Sequence, residues 1–591
     1  MDINIKLNEL LVKYGIIKKF SFEFAIDALS QLEQRNCQGK RVGLYGCGKE
    51  ADGLMTFISA YTKDLKINCC FDKIIRKYYY KDKILNRNVL PVEKITEKNI
   101  DYVIIGSYKI REELKNNLSS VDYKGEIFDL YEYLEEYIED YCSDYEIIYN
   151  LRQAYKREIQ EKKKEIILQQ LIKNYLLLKD FLSAFDMIDI YCKSLYTNYE
   201  KYIKLKQEIC ELLDEIVECI NARKWKDIII NWVDAVSYYD LKEFPFLQNK
   251  VEAGVSFENA YTVMPWTTET KKTIMYGEYP IEGKLFLREN FEKENTKLIQ
   301  LLESNGYYFG YSGLLRITKM FDSSVVIPSI YYDNKYASSL QKQWDALAML
   351  CMSQKPICVL IHTLYETHEP FLCGEGDTLI RFGSTENNWK EEKCQKQAAV
   401  SGAYIDKQLA FYEPYYGKKS IKIYMSDHGR VGNSPFNEEK IHIIFSISGI
   451  GIKSRKIDEM FSLVNFPKVI QLILEDRDDW EKLTDEYVLI ENLDAYNELV
   501  VSYTLSGKLS VEEMYQCRGI VTKKDKFFLY AYGKEYYFTS RMSEKNEIDN
   551  PLYTERIAEL KDLCGEEFID IYQYEKFKYS RLLYENDIHK R

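Results

Sequence analysis

A short apolar strand that ends in Ser-Asp-His-Gly constrains the fold of this chain most. Residues 421–425 are rich in β-formers, which predicts a buried strand. Asp427, His428 and Gly429 follow where open α/β sheets keep their binding and catalytic groups. An aspartate beside a histidine offers an oxygen and a nitrogen ligand to one metal ion. The stretch therefore predicts an α/β sheet with a metal site at the carboxyl ends of its strands.

Two further apolar runs end in polar residues of the same kind. The run 227–233 precedes Asp234, and the run 357–361 leads directly into His362. His368 follows in a turn that contains a proline, although either histidine alone is more often structural. Four of the five histidines lie within about 80 residues, and histidine is a common metal ligand and proton carrier. These strand ends are therefore predicted to meet in one site.

Several threonines lie in a segment that should pass from a loop into a helix, between Pro265 and Gly277. Threonine is common in strands and at helix caps, but the proline and the glycine favour a loop that enters a helix. A hydroxyl at a helix N-terminus can attack an anionic centre, because the N–H groups there stabilise negative charge. The threonines of this segment are Thr267, Thr268, Thr270 and Thr273.

A glycine-rich turn near the amino terminus predicts a βαβ unit. The strand 42–45 is followed by Gly46, Gly48 and Ala51 in the pattern G-x-G-x-x-A, and a second strand ends in Asp72. Such glycines let a phosphate approach backbone N–H groups, and the aspartate can bind a ribose. The alternative is that the turn only connects a strand tightly to a helix. Nucleotide binding by this segment is therefore left open.

The chain is predicted to contain four segments. Residues 128–220 contain neither proline nor glycine and show helical spacing, which indicates antiparallel helices that act as a spacer or a docking surface. The predicted order is a Rossmann-like domain with an amino-terminal helix at 1–130, a helical linker or docking region at 131–222, a catalytic domain at 223–480 and a carboxyl-terminal subdomain at 481–591.

Composition argues against several functional classes. The net charge of −12 argues against general nucleic-acid binding. The amino-terminal residues do not form a signal peptide, and no apolar run of about 18 residues predicts a membrane span. The 14 cysteines form no C-x-x-C framework, which favours reduced thiols. We therefore expect a cytoplasmic protein without a transmembrane segment, and its oligomeric state is left open.

Five sequence blocks between about residue 225 and residue 480 follow one another in a familiar order. They are DIIINWVDAVSYYDL, NAYTVMPWTTETKKTIMYGEYP, HTLYETHEPF, YMSDHGR and KIHIIFSISGIG. In these blocks the chain resembles the sulfatase-like branch of the alkaline phosphatase superfamily, which includes arylsulfatases, phosphoethanolamine transferases and lipoteichoic acid synthases. The resemblance implies an alkaline-phosphatase-like α/β/α sandwich, preceded by a small Rossmann-like α/β domain and a helical segment. The amino-terminal segment is similar to small domains attached to bacterial glycan-assembly enzymes.

The resemblance implies a role for each matching residue. Asp234, Asp427 and His428 match metal ligands. Thr267 matches the cysteine that sulfatases oxidise to formylglycine, and a threonine cannot undergo that oxidation. Phosphoethanolamine and glycerophosphate transferases use a threonine at this place, so Thr267 is predicted to be both the nucleophile and a metal ligand.

The remaining matches concern the substrate. Lys271 matches an arginine of the family, and His368 matches the histidine that contacts the anionic group or the leaving oxygen. His362 matches a further catalytic histidine of the transferases. The other predicted substrate contacts are His442, Thr268 and Thr270, of which the two threonines are also alternative nucleophiles.

These matches imply a transferase that depends on a divalent metal ion, which is Mn, Zn or Ca. It would move a phosphoethanolamine or phosphoglycerol group through a phospho-threonine onto a glycan or a glycan precursor. One alternative is a sulfatase-like hydrolase, either a phosphodiesterase or an atypical sulfuric ester hydrolase. Another is a catalytically silent binding scaffold. The expected substrate is a phosphodiester or a sulfate ester related to glycans.

Overall fold

The computed structural model divides the chain into two compact units. One comprises Met1–Cys219 and Gly313–Met352, and the other comprises Ile220–Ser312 and Ser353–Arg591. Residues 313–352, which the sequence places in the catalytic domain, therefore group with the amino-terminal half, and the four predicted boundaries stay a prediction. The residues that the structure describes are 1–17, 21–47, 51, 54–55, 58, 62, 64–73, 77–79, 86–107, 110–131, 144–292, 294–313, 321, 338–379, 392–430, 436–493, 515–578 and 581.

The first unit contains a six-stranded sheet. Its strands are Val42–Tyr45 (β1), Ile67–Phe71 (β2), Lys77–Tyr79 (β3), Asn86–Leu90 (β4), Tyr102–Ile105 (β5) and Glu126–Phe128 (β6). They are arranged in the order β3-β4-β2-β1-β5-β6, and every neighbouring pair is parallel except β3 with β4. Strands β1 and β5 are wholly buried, as expected for central strands of a parallel sheet.

Helices make up most of the rest of the first unit. The predicted single amino-terminal helix is two helices, because the chain turns at Gly15 in the left-handed region, with φ +57°. Helical spacing between residues 144 and 221 gives four helices. The helices in the described part of this unit are Ile3–Lys13, Ser21–Cys37, Arg111–Ser120, Asp144–Arg157, Glu161–Leu178, Phe181–Lys193, Tyr199–Asn221 and Ser339–Met352.

The second unit contains a nine-stranded mixed sheet. Its strands are Ile228–Val233 (β7), Val255–Tyr261 (β8), Tyr308–Ser312 (β9), Ile357–Thr363 (β10), Ile421–Met425 (β11), His442–Ile443 (β12), Phe445–Gly449 (β13), Arg455–Ser462 (β14) and Thr484–Asp485 (β15). The order is β15-β14-β8-β13-β11-β7-β10-β9, and β12 pairs with β8. Strands β9, β10, β7 and β11 are mutually parallel, so their carboxyl ends share one edge.

A buried ion pair fixes the opposite ends of these central strands. Arg223 donates two hydrogen bonds to the Asp227 carboxylate, at 2.6 and 2.9 Å. The same carboxylate accepts the N–H of Ile357 at 2.9 Å, where β10 begins beside β7. Every residue of β7 and β10 is buried, which matches the continuous apolar runs of their sequences.

The carboxyl-terminal part of the second unit is a four-stranded antiparallel sheet. Its strands follow in chain order as Tyr487–Asn492 (β16), Cys517–Thr522 (β17), Lys526–Tyr530 (β18) and Glu535–Phe538 (β19). The helices of this unit are Pro245–Ala253, Thr267–Tyr276, Lys297–Ser304, Glu392–Tyr412, Glu438–Ile441, Phe466–Leu474 and Thr554–Cys564.

The block KIHIIFSISGIG is rich in β-formers, which predicts one strand over 440–447. These bounds are wrong, because the chain forms the short helix Glu438–Ile441, then β12 and then β13. The helix begins there because the side chain of Asn437 accepts the N–H of Glu439 at 3.0 Å. The predicted mixed α/β fold is confirmed. None of the helices in the described part of the chain is both long and apolar enough to cross a membrane.

Candidate active site

The strand topology brings the predicted residues of β7, β10 and β11 together. In register, Trp232 of β7 lies opposite His362 of β10 and Met425 of β11. Asp234 follows β7, and its N–H donates to the carbonyl of Thr363 at 3.0 Å. Asp427 lies two residues after β11, at the same edge of the sheet. Polar groups that are far apart in sequence therefore meet at one sheet edge.

Three of these side chains form a buried metal-ligand set. Ligand atoms of Asp234, Asp427 and His428 lie within 4.8 Å of one another, and all three residues are buried. Asp234 Oδ1 and Asp427 Oδ2 have no hydrogen-bond partner within the described structure. A buried carboxylate oxygen without a partner is costly, and a cation between the two oxygens would remove that cost. Two carboxylates and an imidazole therefore fit a divalent metal ion.

The backbone fixes the orientation of His428. Its Nδ1–H donates to the carbonyl of Gly429 at 2.6 Å, so the lone pair of the neutral ring lies on Nε2. Nε2 is 3.5 Å from Asp427 Oδ2 and 3.9 Å from Asp234 Oδ1. A Cβ at position 429 would lie 1.8 Å from the carbonyl oxygen of Glu439, so only glycine fits there. The Asp-His-Gly sequence thus has a role for each of its residues.

The hydroxyl of Thr267 lies against this set of ligands. Thr267 is the first residue of the helix Thr267–Tyr276 and is half-buried. Its Oγ1 is 3.3 Å from Asp234 Oδ2 and 3.1 Å from His428 Nε2. The N-terminal end of the helix adds partial positive charge at the same point. This geometry suits a hydroxyl that attacks an anionic centre.

The two neighbouring threonines are placed differently. Thr270 is buried, and its hydroxyl donates to the carbonyl of Met264 at 2.6 Å. Thr268 is exposed. Of the three threonines, Thr267 is the one whose hydroxyl lies within hydrogen-bond distance of Asp234 and His428. Substrate contacts by Thr268 and Thr270 stay predictions.

The buried His362 forms a hydrogen bond with the Asp234 carboxylate. The Nε2–H of His362 donates to Asp234 Oδ2 at 2.7 Å, and the hydroxyl of Tyr311 lies 3.3 Å from His362 Nδ1. The indole of Trp232 stacks on the imidazole at 4.4 Å between ring centroids. Burial by itself would raise the pKa of Asp234, but the hydrogen bond from His362 and the nearby histidines lower it. Asp234 is therefore kept ionised.

The ring of His362 is completely buried, whereas that of His368 is half-buried. His368 lies 6.3 Å from His428 between ring centroids, and its Nδ1–H donates to the carbonyl of Glu369 at 3.1 Å. Its Nε2 is therefore the atom left for a substrate. Lys271 is buried one helical turn after Thr267. The catalytic roles of His362, His368 and Lys271 stay predictions.

His442 lies in an aromatic stack. Its ring is parallel to those of Tyr238 and Tyr261, at 4.5 and 4.9 Å between centroids. Its Nε2–H donates to the carbonyl of Glu258 at 2.8 Å, and the Tyr239 hydroxyl lies 3.3 Å from Nδ1. Burial lowers the pKa of His442 to about 3, so the ring is neutral. These contacts give it a packing role, and its predicted contact with substrate stays a prediction.

The glycine turn of the first unit has local structural roles. Asp72 Oδ2 accepts the N–H of Cys47 at 2.8 Å, and Oδ1 accepts the N–H of Lys73 at 2.7 Å. Gly46 has φ +91°, and a Cβ there would lie 2.8 Å from the Leu114 side chain. These contacts fit the alternative of a tight connection. Gly48 lies outside the described residues, and a bound nucleotide stays a prediction.

Known proteins resemble different parts of the chain. Residues 38–128 match the family described as C2185-like, N-terminal. No curated protein matches the sequence. Similar solved structures include a protein of the alkaline phosphatase superfamily from Vibrio parahaemolyticus, which is 15% identical with a TM-score of 0.39; the match covers 55% of this chain and 87% of that one.

Two further similar structures are those of a hydrolase and a sulfatase. Phosphonate monoester hydrolase of Agrobacterium radiobacter is 10% identical with a TM-score of 0.42, and the match covers 57% of this chain and 94% of the other. A 2-O GAG sulfatase is 14% identical with a TM-score of 0.42, and the match covers 60% of this chain and 93% of the other. The similar structures are thus sulfatases and other members of the superfamily that the sequence blocks resemble.

Sequence patterns missed the residues that support the site. Trp232 and Tyr311 contact His362, but each lies within an apolar strand and resembles an ordinary core residue. The position of Tyr311 near the end of β9 was the available signal, because β9 is the parallel neighbour of β10. The patterns also missed Glu438, which lies in the short helix Glu438–Ile441.

Proposed function

We propose that this protein is a metal-dependent hydrolase of phosphate esters. Thr267 attacks the phosphate ester, and water completes the hydrolysis. The observation that supports it most is the position of Thr267 Oγ1, which lies 3.3 Å from Asp234 and 3.1 Å from His428. Both of these residues belong to the buried ligand set. A nucleophile and a metal site therefore share two side chains.

The ligand set defines what a metal ion would contribute. When bound by Asp234, Asp427 and His428, a divalent cation supplies charge neutralisation and a lower pKa for a neighbouring hydroxyl. His362 keeps the Asp234 carboxylate ionised and oriented. Gly429 accepts the Nδ1–H of His428 and so directs Nε2 towards the carboxylates.

The first step forms a bond from Thr267 Oγ to phosphorus and breaks the bond to the leaving oxygen. Thr267 is half-buried, and its hydroxyl proton is released to solvent as the bond to phosphorus forms, while the Asp234 carboxylate stays ionised. The leaving oxygen takes a proton from His368. Lys271 and the N–H groups of the helix Thr267–Tyr276 attract the anionic oxygens. Water then attacks phosphorus, and the bond between phosphorus and Thr267 Oγ breaks. The proton of the water passes to His368, and Thr267 Oγ takes a proton from solvent, which restores both groups and releases phosphate from a monoester or a phosphomonoester from a diester.

A phosphate ester is preferred over a sulfate ester because a threonine cannot become formylglycine. Transfer is the second candidate, since any alcohol that replaces water in the second step receives the phosphoryl group. A phosphoethanolamine or phosphoglycerol group moved onto a glycan is a transfer of this kind. The phospho-threonine step is common to hydrolysis and transfer, so one experiment addresses both.

The test is intact-protein mass spectrometry after incubation with Mn²⁺ and a panel of phosphodiesters, phosphomonoesters and sulfate esters. We expect a covalent phosphoryl adduct that maps to Thr267 and product release from a phosphate ester. Thr267→Ala should lose both, with turnover at least about a thousandfold lower. Thr554→Ala is the matched control, because Thr554 is also the first residue of a helix but is exposed and distant in sequence.

Added alcohols distinguish the two candidates. Free phosphate from a phosphomonoester, or a phosphomonoester from a phosphodiester, supports hydrolysis, and an ester bond between the phosphoryl group and the added alcohol supports transfer. Full turnover by Thr267→Ala, or an adduct on another residue, contradicts the assigned nucleophile. Release of sulfate without cleavage of any phosphate ester contradicts the phosphate preference.

A further inference from the structure

A short stretch after the metal-binding loop contacts the three segments that carry Asp234, Thr267 and His428. We call residues 437–443 the bridging segment; it contains the helix Glu438–Ile441 and β12. The carbonyl of Lys440 accepts the N–H of Gly429 at 2.8 Å, and the carbonyl of Ile441 accepts the N–H of Thr262 at 3.0 Å. The carbonyl of His442 accepts the Ser237 hydroxyl at 3.4 Å. The segment thus contacts the chain beside His428, beside Thr267 and beside Asp234.

A buried carboxylate holds the bridging segment. Glu438 is 2% exposed, and its Oε1 accepts the hydroxyl of Tyr261 at 2.5 Å. The same oxygen is 3.5 Å from His442 Nδ1 and 3.9 Å from Arg541 Nε. Its Oε2 is 4.0 Å from Lys526 Nζ. One carboxylate therefore joins the bridging segment to β8 and to two cations.

Both cations belong to the carboxyl-terminal part of the chain. Lys526 begins β18, and its Nζ also donates to the carbonyl of Phe436 at 2.9 Å, just before the bridging segment. Arg541 follows β19 and donates to the hydroxyl of Tyr261 at 3.0 Å and to the Asn259 side chain. Removal of one member of a buried charge group leaves the others without compensation. The four-stranded sheet thus reaches the segment that orients the metal-binding loop.

We propose that Glu438, through its contacts with Lys526 and Arg541, is a positioning residue for the metal site. It contacts no metal ligand itself within the described structure; it fixes the bridging segment, which fixes Gly429 and therefore the ring of His428. This inference rests on the metal site of the proposed function. It assigns the carboxyl-terminal part of the chain a role in metal affinity.

The test compares two adjacent glutamates. Glu438→Gln removes the buried charge but keeps the size of the side chain, and Glu439→Gln makes the same change at an exposed position of the same helix. Calorimetric titration of the full-length protein with Mn²⁺ should show an affinity at least about tenfold weaker for Glu438→Gln, the loss typical when a partner behind a ligand is removed. Glu439→Gln should bind as wild type does.

A second pair tests the cation. Lys526→Met should weaken Mn²⁺ binding, whereas Lys523→Met, an exposed lysine of the same β-hairpin, should not. The double variant Glu438→Gln/Lys526→Met removes both charges of the pair, so its loss should be smaller than the sum of the two single losses. Lys526→Met provides the answer if Glu438→Gln does not fold, as judged by circular dichroism in EDTA.

The outcomes separate this inference from the proposed function. Equal Mn²⁺ affinity of folded Glu438→Gln, folded Lys526→Met and wild type overturns the positioning role and leaves the metal site standing. Absence of Mn²⁺ binding in the wild type overturns the proposed metal-dependent function. A merely structural role would lower the melting temperature in EDTA and leave the Mn²⁺ affinity of the folded variant unchanged, whereas a positioning role lowers the Mn²⁺ affinity of the folded variant.

Discussion

Without metal, the Asp427→Asn variant should be more stable than the wild type. With metal, it should be less stable than the wild type. Asp427 is fully buried, and its Oδ2 has no hydrogen-bond partner among the described residues. Its Oδ1 accepts the N–H groups of Ala235 and His428 at 3.2 and 3.0 Å, and an asparagine oxygen can do the same. The new amide nitrogen would lie about where Oδ2 is now, 3.5 Å from the lone pair of His428 Nε2.

The magnitudes follow from burial and from metal binding. A buried acceptor without a partner costs about 1–3 kcal/mol, so Asp427→Asn should raise the free energy of unfolding by about that amount in EDTA. A cation at a hundredfold excess over its dissociation constant stabilises the wild type by about 2.7 kcal/mol. The variant has lost one of two anionic ligands and should gain little. The order of stability should therefore reverse as the cation is added.

The assay is urea unfolding followed by tryptophan fluorescence, in EDTA and in increasing Mn²⁺. Trp232 and Trp266 lie close to the site in sequence and report on its unfolding. Asp549→Asn, at an exposed position, is the control and should respond to Mn²⁺ as wild type does. If Asp427→Asn is destabilised in EDTA, or gains as much stability from Mn²⁺ as wild type, then the unpartnered oxygen is not a metal ligand.

Two further predictions concern the buried histidines. His362→Gln should lower turnover and Mn²⁺ affinity by about 10–100-fold, because Asp234 loses the partner that orients it. Steady-state kinetics and calorimetry test this prediction, and unchanged values would contradict it. Burial holds the pKa of His442 at about 3, against 6.5 when it is exposed, so the unfolded state binds the extra proton as the pH falls below 6.5. Between pH 7.5 and 5 this group should therefore remove about 2 kcal/mol of stability from the wild type. His442→Asn should lack that loss in urea unfolding at both pH values, and an equal loss in the variant would contradict the assignment.

The central strands were predictable because each carries its own local signal. Parallel strands covered on both faces need continuous apolar runs, and the runs before Asp234, His362 and Asp427 are of that kind. Parallel neighbours end at the same edge, so the three polar residues were expected to meet. The short helix Glu438–Ile441 was not predictable from its apolar pattern, because the side chain of Asn437 determines where it begins.

Local sequence patterns do not identify which threonine is the nucleophile. Thr267, Thr268 and Thr270 have similar surroundings in sequence, and the resemblance to a family was needed to select one. The structure distinguishes them through contacts made over long sequence distances. Thr267 lies beside His428, which is 161 residues away, whereas the Thr270 hydroxyl is already bonded to the carbonyl of Met264. A hydroxyl with a buried backbone partner is less available as a nucleophile.

The charges around the site explain why its supporting residues escape a sequence pattern. Asp234 and Asp427 are two buried carboxylates, and an oxygen of each without a partner among the described residues lies within 4 Å of His428 Nε2. A folded chain tolerates such an arrangement only with compensation. His362 compensates Asp234 in part, from a strand more than a hundred residues away. Glu438 in turn lies near Lys526 and Arg541, which belong to the carboxyl-terminal part of the chain. Each of these partners lies close in space to the charge that it compensates but far from it in the sequence. No sequence spacing therefore indicates it. A cation held by Asp234 and Asp427 would likewise compensate the oxygens for which the described residues provide no donor.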